Sequence, residues 1–223
     1  FDCIYCECGR NPGKQDEKGK LPSRSEVKDK LEAVLAEMEQ QQRLPDVITF
    51  AGNGEPTLHP QFAGIVDDTL DLRDKYSPGA RIAVLSNASM LHRQDVVEAL
   101  MKVDDNIQKL DSAFEETVKM LDCPQGRFNL DKVVEQLAAF KGKVIIQTMF
   151  IKGEFQGKAI DNSTDREVVA WLELVRKIKP AQVMIYTIAR DTPINTLVKV
   201  PLTRLKEIAK MVESGGFKVQ VSA

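Results

Sequence analysis

Apolar positions along this chain follow two alternating spacings. Short continuous apolar runs rich in β-branched residues fall at Asp46–Phe50, Arg81–Leu85, Ile107–Leu110, Lys143–Ile151, Gln182–Ile188 and Phe217–Val221. Unbroken apolar character is that of strands covered on both faces. Between these runs, apolar residues recur at helical spacing. Val27, Leu31, Val34, Leu35 and Met38 make one stripe, and Ser23 with Glu26 forms a capping box ahead of it. Further stripes are Phe62, Ile65, Val66 and Thr69; Val96, Val97, Leu100 and Met101; and Leu130, Val133, Val134, Leu137 and Phe140. Val168, Val169, Leu172 and Val175 follow the cap Thr164 with Glu167. The last stripe is Leu202, Leu205, Ile208, Ala209 and Val212, stopped by Gly215-Gly216. Gly9–Pro22 and Lys152–Asp165 are polar, without a stripe, and read as mobile loops.

Strand–helix–strand alternation predicts an α/β fold of parallel strands with right-handed crossovers. An open doubly wound sheet and a full or partial β/α barrel both satisfy the pattern. Both place active sites at the C-terminal ends of the strands. No repeat or linker divides the chain, so residues 1–223 are expected to form a single domain. The 43% hydrophobic and 29% charged content are those of an ordinary globular protein, and the net charge of −2 disfavours a domain built to grip nucleic acid. No stretch reaches the ~18 apolar residues of a membrane span, and no signal peptide is visible. The chain opens inside a cysteine motif, so its natural N-terminus is expected upstream.

Three of the four cysteines, Cys3, Cys6 and Cys8, crowd into six residues; the fourth is Cys123. Clustered thiols without a sign of secretion point to metal or redox chemistry in a reducing cytoplasm. Cys3 and Cys6 have the CxxC spacing that lets two thiolates reach one metal or cluster. An iron–sulfur site, a zinc site and a redox pair all use it. A redox pair starts a helix directly after a strand, whereas here Cys8 and a Gly/Pro-rich stretch intervene. Structural zinc needs a second ligand pair, and Cys8, Cys123, His59 and His92 are scattered. Cys8 has too short a bite from Cys6 to be a natural further ligand, and Cys123 reads as a packed or surface thiol.

Polar residues gather where the expected strands end. Gly52-Asn53-Gly54-Glu55 follows the first, offering permissive backbone and a carboxylate. His59, beside Pro60, suits a structural hydrogen bond. Ser86 and Asn87 end the next strand, placed either to bind a ligand or to cap. Lys109, Asp111 and Ser112 end the third; buried charges there need a ligand or one another. Gln147 and Thr148 interrupt the fourth run, and Tyr186 and Thr187 the fifth, as mouth-lining groups.

The opening Cys3-Ile4-Tyr5-Cys6 together with Ala51-Gly52-Asn53-Gly54-Glu55-Pro56-Thr57-Leu58-His59-Pro60, Leu85-Ser86-Asn87 and Lys109-Leu110-Asp111 resembles the radical S-adenosylmethionine (radical SAM) superfamily. Within it, the run resembles short Fe–S oxidoreductases related to wyosine-type tRNA-modifying enzymes. The resemblance extends over nearly the whole chain. It implies a partial (β/α)6 barrel, cut before its first strand, with Phe217–Val221 as an extra terminal strand. The family signature CxxxCxxC places a third cluster cysteine four residues before Cys3. The implied cofactors are a 4Fe–4S cluster held by Cys3 and Cys6, and S-adenosylmethionine. The implied activity is reductive cleavage of S-adenosylmethionine to a 5′-deoxyadenosyl radical that abstracts hydrogen from substrate, fed by a low-potential donor such as a flavodoxin or ferredoxin. By the same resemblance Tyr5 lies against adenine, and Gly52, Gly54 and Glu55 bind the amino group. From their own chemistry, Lys109 is expected to pair with the methionine carboxylate, Ser86 and Asn87 to bind a carboxylate or ribose hydroxyls, Asp111 to meet ribose or substrate, and Gln147 to line the mouth. RNA, protein and small molecules all remain open as substrate. An activating enzyme that makes a glycyl radical on a partner protein, and a non-enzymatic metal- or cluster-binding protein, are the alternatives.

Overall fold

The computed structural model describes residues 1–7, 21–51 and 54–223. Two compact units emerge, one of Lys14–Ile107 and one of Phe1–Gly13 with Gln108–Ala223. The expected mobile segment Gly9–Pro22 lies almost wholly outside the described residues, as do Cys8 and Gly52.

The unit Lys14–Ile107 carries α1 (Arg24–Gln40), β1 (Val47–Phe50), a 3-10 turn (Pro56–Leu58), α2 (Phe62–Tyr76), β2 (Arg81–Ser86), α3 (Gln94–Leu100) and the start of β3 (Asp105–Lys109). The Ser23–Glu26 capping box is present in both directions, with Glu26 N 3.3 Å from Ser23 Oγ and Ser23 N 2.6 Å from Glu26 Oε2. Of the stripe expected on α1, only Leu35 is buried, and Val34 is 52% exposed. Polar pairs fasten α1 to α2 instead: Arg24 Nε to Asp68 Oδ2 at 2.6 Å, and Lys75 Nζ and Tyr76 Oη to Glu32 Oε1 at 2.7 and 2.9 Å. β1 and β2 pair in parallel from Val47↔Arg81 to Phe50↔Val84. β2 is buried as expected, but β1 alternates between exposed and half-buried positions, so its expected cover on both faces is not there among the described residues.

The other unit holds α4 (Glu115–Asp122), α5 (Leu130–Ala138), β4 (Ile145–Met149), β5 (Ile151–Phe155), β6 (Lys158–Asp161), α6 (Asp165–Ile178), β7 (Gln182–Tyr186), β8 (Leu197–Lys199), α7 (Leu202–Ser214) and β9 (Val219–Ser222). β4, β7 and β9 are parallel neighbours. The core is aliphatic and aromatic: Leu137, Phe140, Trp171, Val175, Leu205 and Val212 are at most 2% exposed. Phe150 meets Trp171 edge to face, with centroids 5.4 Å apart, and the buried indole N–H donates to Leu110 O at 3.1 Å. Thr164 caps α6 through Glu167 N, and Gly216, at φ 86°, turns the chain after α7.

The six strands of the main sheet run in the order β1-β2-β3-β4-β7-β9. Among the described residues that order follows the chain without reversal and shows no topological switch point. This is barrel-type winding rather than the doubly wound alternative. The terminal place of β9 is the one expected for Phe217–Val221.

Two expectations need correction around residue 150. The apolar run Lys143–Ile151 is not one strand: β4 ends at Met149, and Ile151 opens β5 in a second, antiparallel sheet of order β6-β5-β8. The Lys152–Asp165 segment, read as a mobile loop, forms the β5–β6 hairpin. Its two-residue turn is Gln156-Gly157, both with positive φ (53° and 73°), the backbone a tight hairpin requires. Gly153 (φ 144°) lets β8 approach, since a Cβ there would stand 2.3 Å from Thr196 O. Asn162 pins this corner. Its Nδ2 donates to Asp111 O at 2.8 Å and Met149 O at 2.7 Å, and its Oδ1 accepts from Ile151 N at 2.8 Å. Asn162→Ala would leave these three buried main-chain groups without those bonds, so a loss of about 3 kcal/mol is expected in urea unfolding. A loss below about 1 kcal/mol would mean that the corner holds without it.

Candidate functional site

The cysteine segment lies along the C-terminal turn of α4. Ile4 is fully buried and Tyr5 is 6% exposed, which anchors the segment between its cysteines. Ile4 N donates to Leu121 O at 2.9 Å and Asp2 N to Asp122 O at 3.1 Å. α4 then ends in left-handed backbone at Cys123 (φ 42°). Cys6 N donates to Cys3 O at 3.1 Å, closing a turn that carries both half-buried, unbridged thiols. Burial pushes the Cys3 thiol up to about 12; Lys109 opposes the shift, and Asp122 and Asp111 add to it. Binding a metal there would displace the thiol proton.

A buried ion network stands behind this turn, all within the same unit. Tyr5 Oη contacts Asp111 Oδ2, lies 2.9 Å from Asp122 Oδ1 and accepts from Lys109 Nζ. Lys109 Nζ is 3.3 Å from Asp111 Oδ2, 3.9 Å from Asp122 Oδ1 and 4.7 Å from the Tyr5 ring centroid. Asp111 Oδ1 accepts from Met149 N at 2.9 Å. Burial, the largest influence, lowers the Lys109 ammonium; Asp111, Tyr186, Cys3 and Asp122 together outweigh it, and the net shift is well upward. Burial, then the neighbouring Asp111, holds the Asp122 carboxyl well above the usual carboxylate range. Burial likewise pushes Tyr186 up to about 12 and Tyr5 well above a phenol's ordinary value.

In this unit, then, Cys3, Cys6, Tyr5, Lys109 and Asp111 come together, and Lys109 and Asp111 pair with each other. Gln147 is half-buried in β4, its carbonyl accepting from Leu110 N at 3.0 Å. Thr148 is buried and donates to Leu110 O at 2.8 Å, a main-chain tie rather than a mouth-lining contact. Sequence reasoning did not find Asp122 or Asn162. α4 has eight residues and no side-chain N-cap, so its stripe of Thr117, Val118 and Leu121 is too short to read.

In the unit Lys14–Ile107, Glu55 is fixed at the start of the 3-10 turn. Its Oε1 accepts from Thr57 N at 3.1 Å and from Thr57 Oγ1, and its Oε2 accepts from Asn87 N at 2.7 Å. A carboxylate has about four lone-pair sites, so the bonds from described residues leave one for a further donor. Gly54 has φ 135°, a conformation for glycine, with open space where a Cβ would stand. Ser86 Oγ accepts from Ala88 N and Asn87 Oδ1 from Ser89 N, so both serve the turn after β2. His59 bridges Pro22 O and Gln61 N, the structural role expected of it.

The donor chemistry of the cysteine turn fits an iron–sulfur cluster: Cys3 and Cys6 are soft thiols on one turn at the right spacing. They are two of the ligands such a cluster takes.

Comparison with known proteins places this geometry in a family. The model of the radical SAM superfamily matches residues 1–158. A UPF0026 protein of Methanocaldococcus jannaschii is 27% identical over 216 residues, covering 95% of this chain and 62% of that protein. This chain spans between 26% and 67% of the length of the curated relatives it matches. Among solved structures, a radical SAM methyltransferase from Sphaerobacter thermophilus shares the fold with a TM-score of 0.67 at 13% identity, covering 90% of this chain and 57% of that one. Archaeal TYW1 shares it at 0.56 and 15% identity, covering 91% and 68%. Among the described residues no helix is long and apolar enough to cross a membrane. The family match runs from the cysteine turn through the Glu55 turn and the Lys109–Asp111 strand end, and with it this chain belongs to the radical SAM superfamily, whose cofactors are a 4Fe–4S cluster and S-adenosylmethionine.

Proposed function

We propose that this chain carries out reductive cleavage of S-adenosylmethionine to a 5′-deoxyadenosyl radical that abstracts hydrogen from a substrate. The observation that carries this reading is the Cys3–Cys6 turn, with both thiols half-buried on a fixed loop backed by Tyr5. Cys3 and Cys6 would hold the cluster. When bound, the cluster supplies the electron that opens the sulfonium C–S bond, drawn from a low-potential donor such as a flavodoxin or ferredoxin.

The protein's own residues bind and orient. Glu55, with one acceptor site left and Thr57 and Asn87 fixing its carboxylate, is assigned to the amino group of S-adenosylmethionine. Gly54 supplies the backbone beside it, and Gly52 is assigned to the same amino group by its place in the motif. Lys109 has three N–H donors; Tyr5 and Asp111 take two, which leaves one for the methionine carboxylate. Asp111 serves by holding Lys109 and Tyr5, and Tyr5 offers its ring to the adenine. Ser86 and Asn87 shape the turn that holds Glu55, and Gln147 lines the pocket.

The test is anaerobic reconstitution of the full-length protein, reduction with dithionite, and assay for 5′-deoxyadenosine. Formation of 5′-deoxyadenosine is expected; stoichiometric zinc without sulfide would end this reading. Glu55→Ala is expected to weaken S-adenosylmethionine binding about 10- to 100-fold, the worth of one charge-assisted hydrogen bond. Cluster absorbance should be unchanged, because Glu55 is assigned to the cosubstrate and not to iron. Wild-type affinity in Glu55→Ala would remove Glu55 from the site.

A further inference from the structure

Asp122 is held by the same helical turn that carries the cysteine segment, and no motif points to it. Its side chain is 2% exposed. Its Oδ1 stands 3.6 Å from Cys3 Sγ and 2.9 Å from Tyr5 Oη. Its own carbonyl accepts from Asp2 N, and the carbonyl of Leu121 accepts from Ile4 N. The main chain is therefore tied to α4 on both sides of Cys3, while the Asp122 side chain meets the sulfur between those ties. Among the described residues, no comparable contact to Cys6 is seen at the turn.

We propose that Asp122 is the positioning residue of the Cys3 ligand: it fixes the approach of the Cys3 sulfur and sets the charge around that sulfur. The proposal rests on the reading above that Cys3 holds the cluster. Groups bonded to a metal's ligands fix ligand orientation, and their loss typically costs 10- to 100-fold in metal affinity. Charge close to an iron–sulfur centre also helps to set its potential. In a buried site, a polar group this close to a ligand sulfur is weakly screened. Removing it changes the cost of placing an electron on the cluster.

The experiment uses the full-length protein, reconstituted anaerobically, as wild type, Asp122→Ala and Asp122→Asn. Iron and sulfide are titrated in, and the midpoint potential is followed by EPR. Asp122→Ala is expected to need about tenfold more iron for half-loading. Asp122→Asn keeps the shape and a partner for Tyr5 Oη, so it should load like wild type while its midpoint potential and EPR line shape shift. A residue that serves only folding would move neither. If Asp122→Ala does not fold, Asp122→Asn decides the matter. A midpoint and spectrum identical to wild type in Asp122→Asn would overturn the proposal while leaving Cys3 as a ligand. Absence of any cluster in wild type would overturn both.

Discussion

Cys3→Ala or Cys6→Ala in the full-length protein is expected to reduce bound iron and acid-labile sulfide to background. A 4Fe–4S cluster held by three thiolates cannot be held by two, since each lost thiolate both removes a bond and opens the cluster to solvent. The turn that joins Cys3 and Cys6 is fixed by the Cys6 N–H to Cys3 carbonyl bond and by the burial of Ile4. Alanine leaves both features intact, so the fold should survive and the loss should be specific to the cluster. Cys123→Ala is the control. Its thiol lies 3.6 Å from Met120 O at the end of α4, and it packs as a partly buried apolar group. Its removal should leave iron and sulfide at wild-type levels, and Cys8→Ala the same. Metal analysis with EPR of the reduced protein separates the outcomes. Full loading of Cys3→Ala would withdraw Cys3 from the ligand set.

The parts of this fold that were legible in the sequence are those whose signal is local. β2, β7 and β9 read as apolar runs. α2, α5, α6 and α7 read as stripes, and the Ser23 and Thr164 caps could be placed from the residues three positions on. α1 shows the limit of that signal: Val34 sits in the right register for burial, yet α1 is joined to α2 by ion pairs and Val34 stays in solvent. The β5–β6 hairpin escaped because its alternation is short, and because its turn uses Gln156-Gly157 rather than a strong pair such as Asn-Gly. β8 has three residues and exists only by pairing with β5. The same contrast holds at the site. Cys3, Tyr5, Cys6 and Glu55 carry motif spacing. Asp122 meets Tyr5 across 117 residues of chain, and Asn162 meets Asp111 across 51, and nothing in the neighbouring sequence announces either contact. Asp111 could be picked out as a strand-end charge, but its use on Met149 N and Lys109 is a tertiary fact.

Lys109→Met is expected to destabilise the apo protein by about 3 kcal/mol, read from urea unfolding. Lysine here is the only cation among the described members of its network. Asp111 and Asp122 are 0% and 2% exposed, and Lys109 Nζ lies 3.3 and 3.9 Å from them. Methionine matches the length of the lysine stem, so packing is largely retained and the change isolates the charge. Removing one partner of a buried ion pair leaves an uncompensated charge, which typically costs about 3–5 kcal/mol. Lys109 keeps 15% of its side-chain surface, so water screens part of the loss and the lower end applies. The carboxylate partner gives the control. Lys109→Met with Asp111→Asn removes a positive and a negative charge together, and the amide still offers an oxygen to Met149 N. The double variant should therefore recover stability relative to Lys109→Met, with a coupling of about 1–3 kcal/mol in the cycle. If the losses simply add, Lys109 and Asp111 do not act as a pair. If Lys109→Met alone costs less than about 1 kcal/mol, the network is wet enough that the ammonium is not needed to offset its carboxylates.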